Sequence, residues 1–133
     1  MTINTTILVV DDESHIRQVL SLKLRHAGWN VITAVDGEDA LHQAIEHRPD
    51  LVITDIQMPF MSGIGLCCAL LEHDDLCEIP VIVLTARGHT LRDSDTDLPN
   101  IKHVLSKPFS PRAIAELALE WTVPAPNARR ESA

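Results

Sequence analysis

The sequence predicts a doubly wound α/β domain on a five-stranded parallel sheet. Short β-branched runs alternate with segments of helical spacing along nearly the whole chain, and such alternation makes the strands parallel and joins them by crossovers. The runs are continuously apolar, as strands covered on both faces require. Acidic, hydroxyl and basic residues follow these runs, at ends that share one edge of such a sheet.

The first strand is Ile7–Val10, in "TTILVVDDE". A helix follows from about Ser14 to Ala27, with Ile16, Val19, Leu20 and Leu24 on one face and Gly28 as the stop just past its end. Val31–Thr33 is the second strand. Asp36 is placed to cap the next helix, whose inward residues are Ala40, Leu41, Ala44 and Ile45, and Pro49 closes that unit. Leu51–Thr54 is the third strand, Ser62 to about His73 the third helix, and Val81–Leu84 the fourth strand. The segment "RGHTLRDSDTDLPNIKH" (87–103) has few apolar residues and is crowded with Asp, Ser and Thr, which favour turns and caps over helix interiors. A short or irregular element is expected there. Val104–Leu105 gives a weaker fifth strand. Pro111–Trp121 gives the last helix, with Ile114, Leu117, Ala118 and Trp121 on one side. The domain is therefore expected over 1–122. The segment 123–133, Pro- and Ala-rich without apolar periodicity, is expected to be a mobile tail.

With 133 residues the chain suffices for one domain with a real core. Its 45% hydrophobic content fits a soluble globular protein, and it holds no run of membrane-spanning length and no leader pattern. The cytoplasm is the expected location, with no membrane partner. A net charge of −8 and a pI of about 5.2 argue against a nucleic-acid-binding surface. Cys67, Cys68 and Cys77 are odd in number and lack a C-x-x-C pair. They read as small apolar residues rather than a disulfide framework or a zinc site.

Asp11 and Asp12 follow the first strand, Asp55 the third, Thr85 the fourth and Lys107 the fifth. If the strand order is 2-1-3-4-5, strands one and three are neighbours at the switch point, and Asp11, Asp12 and Asp55 converge. Three carboxylates in one pocket cannot all remain ionised without a partner. Mg²⁺ takes oxygen ligands and suits carboxylates combined with phosphate oxygens. Asp55 is then placed as a nucleophile toward phosphorus, with the metal offsetting its repulsion of an anionic phosphoryl group. Lys107 adds a second positive charge and Thr85 a hydroxyl donor, and phosphoryl transfer asks for little more. Any one of these residues alone reads as a cap, a turn or a solvated side chain. All five at strand ends, in this order, read as a site.

These segments resemble the receiver domain of two-component response regulators, in stand-alone, chemotaxis-regulator-like form. The matching pieces are "LVVDDE", "AVDGEDAL", "PDLVITDIQMP", "MSGIGL", "VIVLTA" and "LSKPF", from Ile7 to about Trp121. The resemblance implies a flavodoxin-like fold and Asp55 as phosphoacceptor. It implies Asp11 and Asp12 as the acidic Mg²⁺ pair, with the backbone carbonyl of Gln57 completing the metal site. Thr85 becomes the switch hydroxyl and Lys107 the phosphoryl-binding lysine. A cis Lys107–Pro108 peptide is also implied, X-Pro bonds being those that tolerate cis. The implied cycle takes phosphoryl from a histidine kinase or histidine phosphotransfer protein. It then rearranges the face made by the fourth crossover segment, fifth strand and last helix, favouring an unidentified downstream partner. The protein is then no enzyme beyond catalysing its own phosphorylation and dephosphorylation.

Some positions depart from the family pattern. Val104 stands where receivers commonly carry an aromatic residue, and "PNIKH" replaces a common Gly-Ala pair before the fifth strand. Gln57 and Arg87, two beyond the acceptor and the switch hydroxyl, stand where side chains influence attack by water on the phosphoryl group. "DSDTD" (Asp93–Asp97) lacks the glycine and glutamate that an EF-hand needs, so it reads as a solvated acidic loop. His15 reads as a surface or neighbouring residue rather than a metal ligand. Two alternatives remain open. One is an interaction module with this fold that works without phosphorylation. The other is a phosphatase-like hydrolase, which usually carries an acid/base carboxylate where this chain has Gln57.

Overall fold

Strand β1 (Thr6–Val10) shows how the sheet is built. The computed structural model describes residues 5–58, 60–86 and 97–122. Successive strand residues point to opposite faces, so the buried run of β1 divides between two cores. Ile7 and Val9 enter one with Leu20 and Leu24 of α1 (Ser14–His26) and with Ile114 and Ala118 of α4 (Pro111–Thr122). Leu8 and Val10 enter the other with Ala40 and Ala44 of α2 (Gly37–His47) and Leu66, Cys67 and Leu70 of α3 (Gly63–Leu71). Truncating a fully buried leucine such as Leu20 to alanine is worth about 2–5 kcal/mol.

The other strands are β2 (Asn30–Ala34), β3 (Leu51–Asp55), β4 (Val81–Thr85) and β5 (Ile101–Ser106). All pair in parallel, in the order β2-β1-β3-β4-β5. This is the predicted doubly wound sheet. β3 and β4 are buried throughout, which is why they read as unbroken apolar runs.

The helix ends follow the local sequence. The Asp36 carboxylate accepts the Asp39 N–H at 2.8 Å, and the Ser62 hydroxyl oxygen accepts the Gly65 N–H at 3.0 Å, each satisfying an orphan donor of the first turn. Gly28, at φ 109°, ends α1 as expected. α3 stops at Leu71 rather than near His73, and turns take over. Cys67 and Cys68 lie on α3 while Cys77 lies in the turns beyond it; all three thiols are free.

β5 is longer than the two residues its sequence suggested. It is an edge strand whose burial alternates, so Lys102 fits on its open side. A register shift opposite Val81 and Ile82 inserts one residue. Ile101 therefore joins the α2–α3 core and Leu105 the α1–α4 core.

No helix among the described residues is long and apolar enough to cross a membrane. Arg87, most of the irregular segment expected after β4, and the tail expected at 123–133 lie outside the described residues.

Candidate functional site

The register of β1 against β3 builds the site. Val10 pairs with Thr54, so the next residues, Asp11 and Asp55, stand side by side at the strand ends. Asp11 is fully buried and Asp55 nearly so, while Asp12 is exposed. One carboxylate oxygen from each of Asp11, Asp12 and Asp55 comes within 4.8 Å of the others. Such a set of hard oxygen donors suits a small divalent cation, so the residues present fit Mg²⁺.

Lys107 enters from the neighbouring side, directly after β5. Its Nζ lies 3.2 Å from Asp11 Oδ2, 3.6 Å from Asp55 Oδ2 and 3.8 Å from Glu13 Oε1. The Lys107 N–H donates to the Thr85 carbonyl at 2.8 Å, tying the loop to the end of β4. The Lys107–Pro108 peptide is cis. The buried Thr85 ends β4, and its hydroxyl donates to the Leu105 carbonyl over a long 3.5 Å. That hydroxyl is thus turned toward β5.

Backbone groups fix the two buried carboxylates. Asp11 Oδ1 accepts the Glu13 N–H at 3.0 Å, and Asp55 Oδ1 accepts the Ile56 N–H at 2.9 Å. Gly63, at the start of α3, donates its N–H to the Ile56 carbonyl at 2.8 Å. A Cβ on Gly63 would lie 2.3 Å from the Asp55 carbonyl oxygen, so only glycine lets the helix approach the strand end this closely.

The electrostatics follow from crowding. Burial, and then the neighbouring Asp11 charge, push the Asp55 carboxyl up to about 6, against the pull of Lys107. Burial also raises Asp11, and the Glu13 N–H and Lys107 offset this only in part. For Lys107, burial works against the charged form, but Asp11 and Asp55 together carry it above the usual lysine value. Among the described residues, the pocket is a crowded acidic nest whose carboxylates pair with one cation, Lys107.

Of the residues singled out in the sequence, Asp11, Asp12, Asp55 and Lys107 come together directly. Thr85 borders them through the Lys107 backbone. Gln57 is exposed on the loop after β3, two residues beyond Asp55. His15 is exposed and outside the carboxylate cluster. Three contributors were not foreseen: Glu13 as a partner of Lys107, Gly63, and Arg17. Arg17 Nη1 donates to the Asp11 carbonyl at 2.6 Å. Its position one turn into the helix after the first acidic pair is the signal that could have found it.

The family profile of the response regulator receiver domain matches residues 7–119. The chain is 38% identical over 112 residues to the alkaline phosphatase synthesis transcriptional regulatory protein PhoP of Bacillus subtilis, covering 84% of this chain and 45% of that protein. It spans less than half the length of the curated relatives it matches. Among solved structures, it is similar to the chemotaxis response regulator CheY4 of Vibrio cholerae, with a TM-score of 0.81 at 30% identity, covering 89% of this chain and 98% of the other. A response regulator receiver domain protein from Clostridium thermocellum gives 0.77 at 27% identity, covering 97% and 99%.

Proposed function

This chain belongs to the response regulator receiver domain family, and we propose that Asp55 is its phosphoacceptor, in a Mg²⁺-dependent reaction. Receiver domains of this kind act as phosphorylatable switches in two-component signalling, interact with histidine kinases or phosphotransfer proteins, and are in general not enzymes. The observation that carries the residue assignment is the convergence of the Asp11, Asp12 and Asp55 oxygens beside the Lys107 ammonium.

In the proposed step an Asp55 carboxylate oxygen attacks the phosphorus of a donor phosphohistidine. The P–O bond forms as the P–N bond breaks, and the imidazole leaves with the electron pair and takes up a proton. Asp11, Asp12, Asp55 and the Gln57 carbonyl are the proposed metal ligands. Mg²⁺, when bound, supplies positive charge that offsets repulsion between the carboxylate and the incoming phosphoryl group. Lys107, already within 3.6 Å of Asp55, is the proposed cation for the phosphoryl oxygens. Thr85 is the proposed switch. Its long bond to Leu105 is weak enough to exchange for a phosphoryl oxygen, and the exchange releases the Leu105 carbonyl of β5. An apolar groove of about 460 Å³ beside Lys107, lined by Ile16, Val19 and Phe109 among others, offers the donor protein a surface. The proposed setting is the cytoplasm.

The test is incubation with acetyl phosphate and Mg²⁺ followed by intact mass. One phosphoryl adduct is expected on the wild type and none on Asp55→Asn or without metal. No wild-type adduct would overturn the reading. Val104 favours a second reading, an interaction module that works without phosphorylation. It is 38% exposed on β5 and has no ring to bury or release. Partner binding that is equal for the wild type and Asp55→Asn, with and without beryllofluoride, would support that alternative.

A further inference from the structure

Every polar atom of Asp11 is engaged. Its N–H donates to the Ala34 carbonyl at 3.3 Å, its Oδ1 accepts the Glu13 N–H and its Oδ2 the Lys107 ammonium. Its carbonyl accepts Arg17 Nη1 at 2.6 Å. Asp12 differs: it is exposed, and among the described residues no hydrogen bond or ion pair holds its side chain. Its carboxylate nonetheless lies with those of Asp11 and Asp55. We propose that Arg17 is a positioning residue for the Mg²⁺ site. By holding the Asp11 carbonyl it fixes the peptide unit from which Asp12 departs, and so keeps the Asp12 carboxylate in the cluster. The inference rests on the metal site proposed above.

The Asp11 carbonyl, the Asp12 N–H and the Asp12 Cα belong to one planar peptide unit. Its free motion is rotation about the flanking bonds, and a bond to the carbonyl oxygen opposes that rotation. The bond is short and donated by a cation, which makes it one of the stronger kind. The helix sets where it starts, because the Arg17 N–H donates to the Glu13 carbonyl at 3.2 Å. Arg17 is half-buried, and among the described residues it forms no ion pair with a carboxylate. The guanidinium thus holds backbone and neutralises none of the pocket's acids by direct contact. Groups that orient metal ligands from behind are worth roughly ten- to hundredfold in metal affinity.

Charge alone predicts the opposite sign. A guanidinium near the pocket repels an incoming cation, so removing it would tighten Mg²⁺ binding if Arg17 acted only through its charge. The test is a Mg²⁺ titration of the full chain, followed by the amide NMR shifts of residues 11–13 and 55–57. Arg17→Met should weaken Mg²⁺ about tenfold, and Arg17→Lys, which keeps the charge but not the rigid fork, should lose less. In Asp12→Ala, already weakened, adding Arg17→Met should cost little more, because the effect passes through Asp12. Arg25→Met, which removes a guanidinium anchored on the Val31 carbonyl, should bind as the wild type does. Equal or tighter binding by Arg17→Met would overturn the proposal while leaving the metal site standing. So would the full tenfold loss persisting in Asp12→Ala. A wild type without a saturable response would overturn the metal site and this inference together.

Discussion

The Lys107 ammonium lies 3.2 Å from the fully buried carboxylate of Asp11, and it is the one cationic side chain among the described residues paired with the pocket's acids. Removing one partner of a buried pair leaves an uncompensated charge. Lys107→Met should therefore lower stability by about 1–3 kcal/mol at neutral pH without metal. The loss should shrink when Mg²⁺ is added. Urea unfolding with and without the ion measures both.

The raised Asp55 carboxyl gives a pH dependence of definite sign. Its folded value of about 6 exceeds the ordinary aspartate value of 3.8, so the folded state binds the proton more tightly than the unfolded chain. Stability should then fall as pH rises from about 4 through about 6 and level off above that. Asp11, raised likewise by burial, adds a slope of the same sign. Asp55→Asn should flatten this slope and gain on the order of 2 kcal/mol at pH 7 without Mg²⁺. A steeper decline in the variant would contradict the assignment.

Metal binding should reverse that penalty. A hundredfold excess of Mg²⁺ over its dissociation constant contributes about 2.7 kcal/mol, read as a rise in Tm at pH 7. Below pH 5 the rise should vanish as the buried acids take up protons. Asp12→Ala should weaken it at every pH while leaving the metal-free Tm nearly unchanged, because Asp12 is exposed.

Two glycines of α3 should respond differently to the same substitution. In Gly63→Ala the new Cβ meets the Asp55 backbone oxygen at 2.3 Å. It should cost upward of about 2 kcal/mol and slow phosphorylation by displacing the strand end. In Gly65→Ala it meets a flexible Met61 side chain at 3.2 Å. The gain in helix propensity, up to about 1 kcal/mol, should offset that contact. Denaturant midpoints of the two variants check the contrast.

How far the sequence reveals this structure depends on burial. β1, β3 and β4 are covered on both faces, so Ile7–Val10, Leu51–Thr54 and Val81–Leu84 are nearly complete strands as written. Asp36 and Ser62 announce their helices because a short polar side chain is what caps the first turn. β5 is harder: on an edge, with an inserted residue, it carries Lys102 and His103 where a central strand would be apolar. The acidic pocket is legible because its side chains have no reason to crowd except chemistry. Arg17 and Gly63 are not, because they act on the backbone of Asp11 and the approach to Asp55, and only the fold shows what lies beside them.

The most direct measurement is chemical trapping. Borohydride reduces an aspartyl phosphate to homoserine, and peptide mapping after phosphorylation then locates the modified residue. Homoserine in place of Asp55, in the wild type and only with Mg²⁺, is the predicted result. Modification at Asp11 or Asp12, or a phosphorylated protein with Asp55 unaltered, would contradict the account.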